Sequence, residues 1–206
     1  MKQNIARNNP MNHARLLIAE RNGMIRTRDA LSDGIHPSIL YRLRDSGVLE
    51  RVSRGVYRLA NEQPISNLDI VTVAARIPRA VICLISALSF HNITTQIPHA
   101  VSIALERGSE PPRIEHPPID LHYFSRESLT AGIETHIIDG VTVRIYSPEK
   151  TLADCFKFRN RLGMNIVLEA LRFYKEQSPF DVGKMMKYAR ICRVETIMKP
   201  YIEAML

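Results

Sequence analysis

The sequence has no tryptophan, only three cysteines and no long apolar run. Cys83, Cys155 and Cys192 are odd in number, widely spaced and set among apolar neighbours, which favours reduced core thiols over a disulfide framework or a zinc site. The best candidate for a membrane span, 80–90, is far shorter than the roughly 20 apolar residues that a span needs. The N-terminus also lacks the apolar segment of a secretion signal, so we expect a cytoplasmic protein without a membrane partner.

Positive charge is present and is concentrated in one part of the chain. The net charge of +7 divides unevenly, because residues 1–60 hold 11 Lys and Arg against 5 Asp and Glu, whereas 61–206 hold 17 against 16. Basic side chains that neutralise phosphates release counterions, so the split favours an N-terminal module that binds nucleic acid. A merely solvated basic surface would give the same charge. We expect a first domain over 1–61 and a second over 62–206.

The pattern of capping residues predicts two short helices at the start of the first domain. Asn12 is a suitable N-cap for the first helix, and Gly23 is suited to its end. Thr27 is a suitable N-cap for the second, which should stop at Gly34. Both helices precede the most arginine-rich part of the chain.

A third helix is predicted from His36 onward, with Pro37 suited to its first position and Gly47 to its end. At 100° per residue, Ile39, Leu40 and Leu43 fall on one side together with Gly47. The opposite side carries polar, aromatic and charged groups that can reach base edges and phosphates in a major groove. They are Ser38, Tyr41, Arg42 and Asp45, with Arg44 on the flank.

The next segment predicts a β-hairpin, in which strands 48–52 and 56–59 flank a three-residue connection that ends at Gly55. The hairpin would present Arg54 at its tip. Three helices followed by a basic hairpin are typical of a winged helix-turn-helix, which binds double-stranded DNA with its third helix and its wing. Winged helices also serve as protein-protein modules, which remains an alternative. The candidate DNA-binding residues are Thr27, Arg28, His36, Ser38, Tyr41, Arg42, Arg44, Arg51, Ser53 and Arg54.

The second domain is expected to be a mixed α+β body, with its strands at about 80–147 and its helices at about 148–206. Asp139–Gly140 is a strong signal for a tight hairpin turn. Ser147 and Pro148 then combine an N-cap with a proline at the first helical position, so the helical part should begin there.

One stretch of the second domain imitates a nucleotidyltransferase, which holds magnesium with two carboxylates that follow a Gly-Ser at a helix start. Gly108, Ser109 and Asp120 fit the spacing, but His122 stands where the second carboxylate should be. The prolines at 111 and 112 also disfavour the required helix. We therefore expect no enzymatic activity and no cofactor.

Two other groups of titratable residues are expected to be structural. His116 and His122 lie near Asp120, but without a third spaced ligand a solvent-facing strand edge is favoured over a metal site. Lys150 and Asp154 are four residues apart in a predicted helix, so they should form an ordinary ion pair on its surface.

Three segments, in order, resemble AbiEi-type antitoxins of bacterial type IV toxin-antitoxin systems. They are ALSDGIHPSILYRLRDSGVLERVSRGVYRL at 30–59, ISALSFHNITTQIPHAVSIAL at 85–105 and VRIYSPEKTLADCFKFRNRLG at 143–163, and the resemblance extends over roughly 12–190.

The resemblance implies a transcriptional repressor that binds inverted repeats in the promoter of its own operon and self-associates on that DNA. It also implies a C-terminal domain that counters a nucleotidyltransferase-like toxin without forming a stable complex. The alternative is a winged-helix regulator that responds to a ligand or a protein partner and is not paired with a toxin.

Overall fold

The fold is α+β, as expected, with eleven α-helices and two β-sheets in the described part of the chain. The computed structural model describes residues 10–21, 23–60, 67–177 and 179–206. Two compact units are distinguished, one holding the chain up to Pro78 together with Ile137–Val143, and the other holding Arg79–His136 and Arg144–Leu206. The functional boundary between 61 and 62 stays a prediction.

In its described residues up to Pro78, the first unit forms four helices and a three-stranded sheet. The elements are α1 (Pro10–Glu20), β1 (Met24–Arg26), α2 (Thr27–Ser32), α3 (Pro37–Asp45), β2 (Leu49–Ser53), β3 (Val56–Leu59) and α4 (Leu68–Arg76). The sheet is antiparallel, with strand order β1-β3-β2. Strand β1 was not predicted, because three residues are too short for an alternating pattern and become a strand only by pairing with β3.

Two of the predicted helix starts in this unit are wrong, and the third is correct. Helix α1 already includes Pro10, so Asn12 lies inside it and is not its N-cap. Helix α2 begins at Thr27, whose side chain does not cap the helix because its hydroxyl donates to a backbone carbonyl outside α2. Helix α3 begins at Pro37 as predicted, and the His36 side chain caps it.

The apolar side of α3 fixes how that helix lies in the first unit. Leu40 and Leu43 are buried, and Ile39 is partly buried against the same cluster, so the predicted helical phase is confirmed. Fully burying a leucine side chain stabilises the folded state by about 1.5–3 kcal/mol. The buried cluster consists of Ala14, Ile18, Ile25, Ala30, Ile35, Leu40, Leu43, Leu49 and Tyr57.

The second unit is built around a mixed five-stranded sheet. Its elements are β4 (Val81–Ile82), α5 (Leu84–Phe90), β5 (Val101–Glu106), β6 (Ile119–Phe124), α6 (Arg126–Thr130), β7 (Ile133–Ile138), β8 (Val141–Tyr146), α7 (Pro148–Lys157), α8 (Arg159–Leu162), α9 (Met164–Gln177), α10 (Val182–Cys192) and α11 (Glu195–Glu203), except that the ends of β7 and β8 within Ile137–Val143 are assigned to the first unit. The strand order is β6-β5-β4-β8-β7. Strand β4 pairs antiparallel with β5 and parallel with β8, and β5 pairs parallel with β6.

Helix α7 is the central helix of this unit. It begins as predicted, with the Ser147 side chain accepting from the Lys150 N–H at 3.3 Å. Helices α5, α9, α10 and α11 pack against α7, and every residue from Glu149 to Phe156 is buried. The prediction of a surface ion pair is therefore wrong, because the side chains of Lys150 and Asp154 are both 0% exposed.

The buried pair lies in a small polar cluster with aromatic walls. Lys150 Nζ donates to Asp154 Oδ2 at 2.5 Å and lies 4.0 Å from the centroid of the Tyr146 ring. Cys192 Sγ donates to the other carboxylate oxygen of Asp154 at 3.2 Å. Burial raises the pKa of Asp154, an effect that Lys150 opposes, and burial raises the pKa of the Cys192 thiol to about 12. All three cysteines are buried and free, as the sequence predicts.

Removing the ammonium from this cluster is expected to destabilise the protein strongly. Lys150→Met should lower the free energy of unfolding by about 3–5 kcal/mol, since it leaves the buried carboxylate of Asp154 without its partner. Adding Asp154→Asn should recover part of the loss, because no charge is then left unpaired. Thermal and urea unfolding of the two variants measure both effects.

The matched control is Lys184→Met, which removes a lysine whose side chain is 62% exposed. That substitution should change stability by less than about 0.5 kcal/mol. Equal effects of the two lysine substitutions would contradict a stabilising role for the buried pair.

Candidate nucleic-acid interface

The solvent side of α3 carries the groups that the sequence analysis assigned to it. Ser38, Tyr41 and Arg42 are exposed, and Tyr41 is among the most exposed large apolar residues. His36 is partly structural, because its Nδ1 accepts from the Ser38 N–H at 3.3 Å and lies 2.8 Å from the Ser38 hydroxyl. The capped first turn therefore holds Ser38 in place at the start of the exposed face.

The start of α2 is attached to the turn of the β2–β3 hairpin. The Thr27 N–H donates to the Gly55 carbonyl at 2.9 Å, and the Thr27 hydroxyl donates to the same oxygen at 3.3 Å. Gly55 has φ +75°, which glycine adopts without strain, so the tight turn fits this sequence. Arg28 and Arg54, each next to one of these two residues, are both exposed.

The other two hairpin candidates lie on β2. Arg51 is exposed, and its Nε donates to the Ser53 carbonyl at 3.3 Å. The Ser53 hydroxyl is buried and has no hydrogen-bond partner among the described residues. Ser53 therefore contributes its backbone carbonyl, which accepts the hydrogen bond from the Arg51 side chain.

The arginines of the first unit fall into two classes, and the sequence analysis did not separate them. Four of them form ion pairs with carboxylates of the same unit. These pairs are Arg21–Asp33 at 2.7 Å, Arg26–Asp29 at 2.8 Å, Arg44–Asp45 at 2.6 Å and Arg58–Glu50.

The candidate arginines other than Arg44 belong to the second class. Arg28, Arg42, Arg51 and Arg54 form no ion pair with a carboxylate of the described residues. Arg26–Asp29 and Arg44–Asp45 join residues close in sequence, whereas Arg21–Asp33 and Arg58–Glu50 join residues further apart, which helical periodicity does not detect. The four candidate arginines of the second class therefore keep positive charge on the candidate surface, and Arg15 on α1 adds to the charge of the unit.

The residues that imitate a nucleotidyltransferase are used structurally. Gly108–Ser109 is followed by no helix before β6. Asp120 accepts from Arg161 Nη2 at 2.6 Å, and its other oxygen lies 2.9 Å from His122 Nε2. Within the described ranges, no three potential ligands are grouped so that they could hold a metal ion.

The expectation that His122 lies on a solvent-facing strand edge is wrong. Although β6 is an edge strand, His122 is only 3% exposed, and its ring packs edge-on against Phe158 at 5.1 Å. Burial lowers the pKa of His122, and this effect outweighs the opposing influence of Asp120.

An open cavity of about 520 Å³ lies along α10 and α11. Its lining residues are all polar or charged, whereas a small-molecule site typically has hydrophobic and aromatic residues in its lining. The lining residues are Arg190, Arg193, Glu195, Thr196 and Lys199.

No helix in the described ranges combines the length and the apolar character that a membrane span requires.

Helices α1 to α3 and the three-stranded sheet define a compact, basic α+β module with unpaired arginines on α2, α3 and the hairpin. Residues 14–60 match the family described as "Transcriptional regulator, AbiEi antitoxin". Over these residues the match confirms the resemblance to AbiEi-type antitoxins.

Comparison with whole proteins adds little to this assignment. No curated protein sequence matches the chain. Among solved structures, the RV2827C protein from Mycobacterium tuberculosis aligns with a TM-score of 0.48 and 12% identity, over 93% of this chain and 79% of that one.

The burial of His122 predicts a pH-dependent contribution to stability. Because its pKa is lower in the folded protein, the unfolded chain binds the proton more readily, and stability is lost as the pH falls through the ordinary value of 6.5. His122→Gln keeps a donor for Asp120 but does not titrate. Between about pH 7.5 and 5, the melting temperature of the wild type should therefore fall more than that of His122→Gln.

His13→Gln removes an exposed imidazole on α1 and is the matched control. The melting temperature of this control should follow the wild type across the same pH range. If His122→Gln follows the wild type as well, the buried ring does not cause the pH dependence.

Proposed function

We propose that the first unit is a winged helix-turn-helix domain that binds double-stranded DNA, with α3 in the major groove and the β2–β3 hairpin as the wing. The observation that carries this proposal is that Arg28, Arg42, Arg51 and Arg54 form no ion pair with any carboxylate of the described residues. Guanidinium groups in such positions bind phosphates and guanine edges. The family match supports the regulatory role of this domain.

The residues of the proposed interface have separate roles. Arg42 is placed to read a base, because it projects from α3 on the side opposite Leu40 and Leu43. Ser38 and Tyr41 flank it and contact the sugar-phosphate backbone. Arg28, Arg51 and Arg54 neutralise phosphates on either side, which fixes the register of α3 without reading sequence.

The regulatory proposal follows from the family. The protein represses its own operon by binding inverted repeats in the promoter, where copies of it self-associate, and the second unit opposes a nucleotidyltransferase-like toxin without a stable complex. We place it in the cytoplasm as a regulator without catalytic activity or a cofactor. The family description as an antitoxin and transcriptional regulator supports this proposal.

A ligand-responsive regulator is the alternative. Such a protein needs an apolar pocket with a few convergent polar groups. The cavity along α10 and α11 is lined by polar and charged residues and is not a pocket of that kind.

The experiment that tests DNA binding is selection from a random duplex library by the full-length protein. The proposal predicts enrichment of one sequence that contains an inverted repeat. Its affinity should fall steeply with salt, as expected when several phosphates are neutralised. If no sequence is enriched and no duplex is bound at low salt, the proposed function is wrong.

Arg42→Ala should weaken binding to the selected sequence by about 1–3 kcal/mol and relax the preference at one base position. Because the side chain is exposed, the melting temperature should change little. Fluorescence anisotropy with single-base variants of the selected duplex measures the effect. Arg15→Ala removes an equal charge from α1 and should leave the base preference unchanged. A large fall in melting temperature with unchanged affinity would make Arg42 a structural residue.

Arg54→Ala should instead weaken binding to all sequences alike, since an arginine at the wing tip contacts phosphate or groove shape. The slope of log affinity against log salt should become shallower by about 0.9, the value for one phosphate contact. Titrations at several salt concentrations on selected and scrambled duplexes measure both slopes. A changed preference at one base position with intact nonspecific binding would contradict the assignment of Arg54 to the wing.

A further inference from the structure

The solvent side of α3 includes one carboxylate, which a surface that binds phosphates should avoid. The side chain of Asp45 is 64% exposed and lies on the same side of the helix as Tyr41 and Arg42. A negative charge near the DNA backbone is repelled by it, so the presence of Asp45 there needs a physical reason.

The reason lies in the hydrogen bonds that Asp45 accepts. Both Nε and Nη2 of Arg44 donate to the same oxygen, Asp45 Oδ1, at 2.9 and 2.6 Å. The guanidinium carbon of Arg44 also lies 5.4 Å from the centroid of the Tyr41 ring. Arg44 is therefore held from two sides, and its Nη1 forms neither of these two hydrogen bonds.

Arg42 and Arg44 lie two positions apart on α3 and differ in their partners, because only Arg44 of the two forms an ion pair with a described carboxylate. Arg42 has no carboxylate partner among the described residues and is free to meet any phosphate that approaches. The two hydrogen bonds from Arg44 to Asp45 must break before Arg44 can turn toward a phosphate. These hydrogen bonds therefore limit the reach of Arg44, and the carboxylate offsets its charge locally.

From this geometry, and resting on the proposed function, we propose that Asp45 is a positioning residue for DNA specificity. It neutralises Arg44 and holds it against Tyr41, which reduces binding to arbitrary phosphates. On the selected sequence, the guanidinium is already ordered and offers Nη1 in one direction, so less conformational entropy is lost on binding there. Asp45 thus lowers nonspecific affinity more than specific affinity.

The test is Asp45→Asn, which removes the charge but keeps the size of the side chain. Two 30-base-pair duplexes serve as probes, one with the sequence that the wild type selects from a random library and one with the same bases scrambled. Released from Asp45, Arg44 should increase affinity for the scrambled duplex about two- to fivefold and make its salt slope steeper by up to about 0.9, the contribution of one phosphate. Affinity for the selected duplex should stay constant or fall. The ratio of the two affinities should therefore fall about three- to tenfold.

Two further variants separate this role from a general change of charge. Glu20→Gln removes an exposed negative charge from α1 that pairs with no arginine of the described residues, and it should leave the affinity ratio unchanged. Asp45→Glu restores a carboxylate and should recover most of the wild-type ratio. The melting temperature of Asp45→Asn should stay near that of the wild type, because the ion pair is exposed.

The outcomes distinguish this inference from the proposed function. If the wild type binds the selected duplex tightly but Asp45→Asn keeps its ratio, or Glu20→Gln lowers the ratio equally, the role of Asp45 is overturned and the DNA-binding function stands. If the wild type binds neither duplex, the proposed function fails, and the role of Asp45 fails with it.

Discussion

The burial of one side of α3 is the constraint on which the candidate interface depends. Leu40 and Leu43 are 0% and 2% exposed, and they pack in the cluster formed with α1, α2 and the three-stranded sheet. Neighbouring residues on a helix differ by about 100° in direction, so burying these two leaves Tyr41 and Arg42 no position except the solvent side. The apolar residues thus determine where the polar residues point, although they take no part in the proposed contact.

Electrostatic pairing then decides which arginines can act on a ligand. The carboxylates of Asp29, Asp33, Asp45 and Glu50 each hold one arginine. Exposed pairs of this kind stabilise a protein by only about 0–1 kcal/mol, so their main consequence is for the surface charge and not for the fold. Five described arginines of the first 60 residues form no ion pair with a described carboxylate: Arg15 lies on α1, and Arg28, Arg42, Arg51 and Arg54 lie on α2, α3 and the hairpin.

In the second unit, by contrast, an ion pair is fully buried. Lys150 and Asp154 lie in the interior of the unit, where the charged forms are stabilised by their mutual contact, the Cys192 thiol and the ring of Tyr146. A buried pair contributes less to stability than its short distance suggests, because both groups lose their hydration. Its geometric requirement is nonetheless strict, since α7 and α10 must hold the carboxylate and the thiol within hydrogen-bonding distance.

The sequence by itself determined the elements that depend on local physics. The helical phase of α3, its start at Pro37 and the hairpin turn at Gly55 follow from periodicity and from backbone preferences, and so does the turn at Asp139–Gly140, where φ is +46° and +76°. Only the tertiary structure decided that Lys150 and His122 are buried and which carboxylate each arginine meets. Periodicity identifies the polar side of an element, but whether another element covers that side, and which residue it brings there, depends on contacts between residues far apart in the chain.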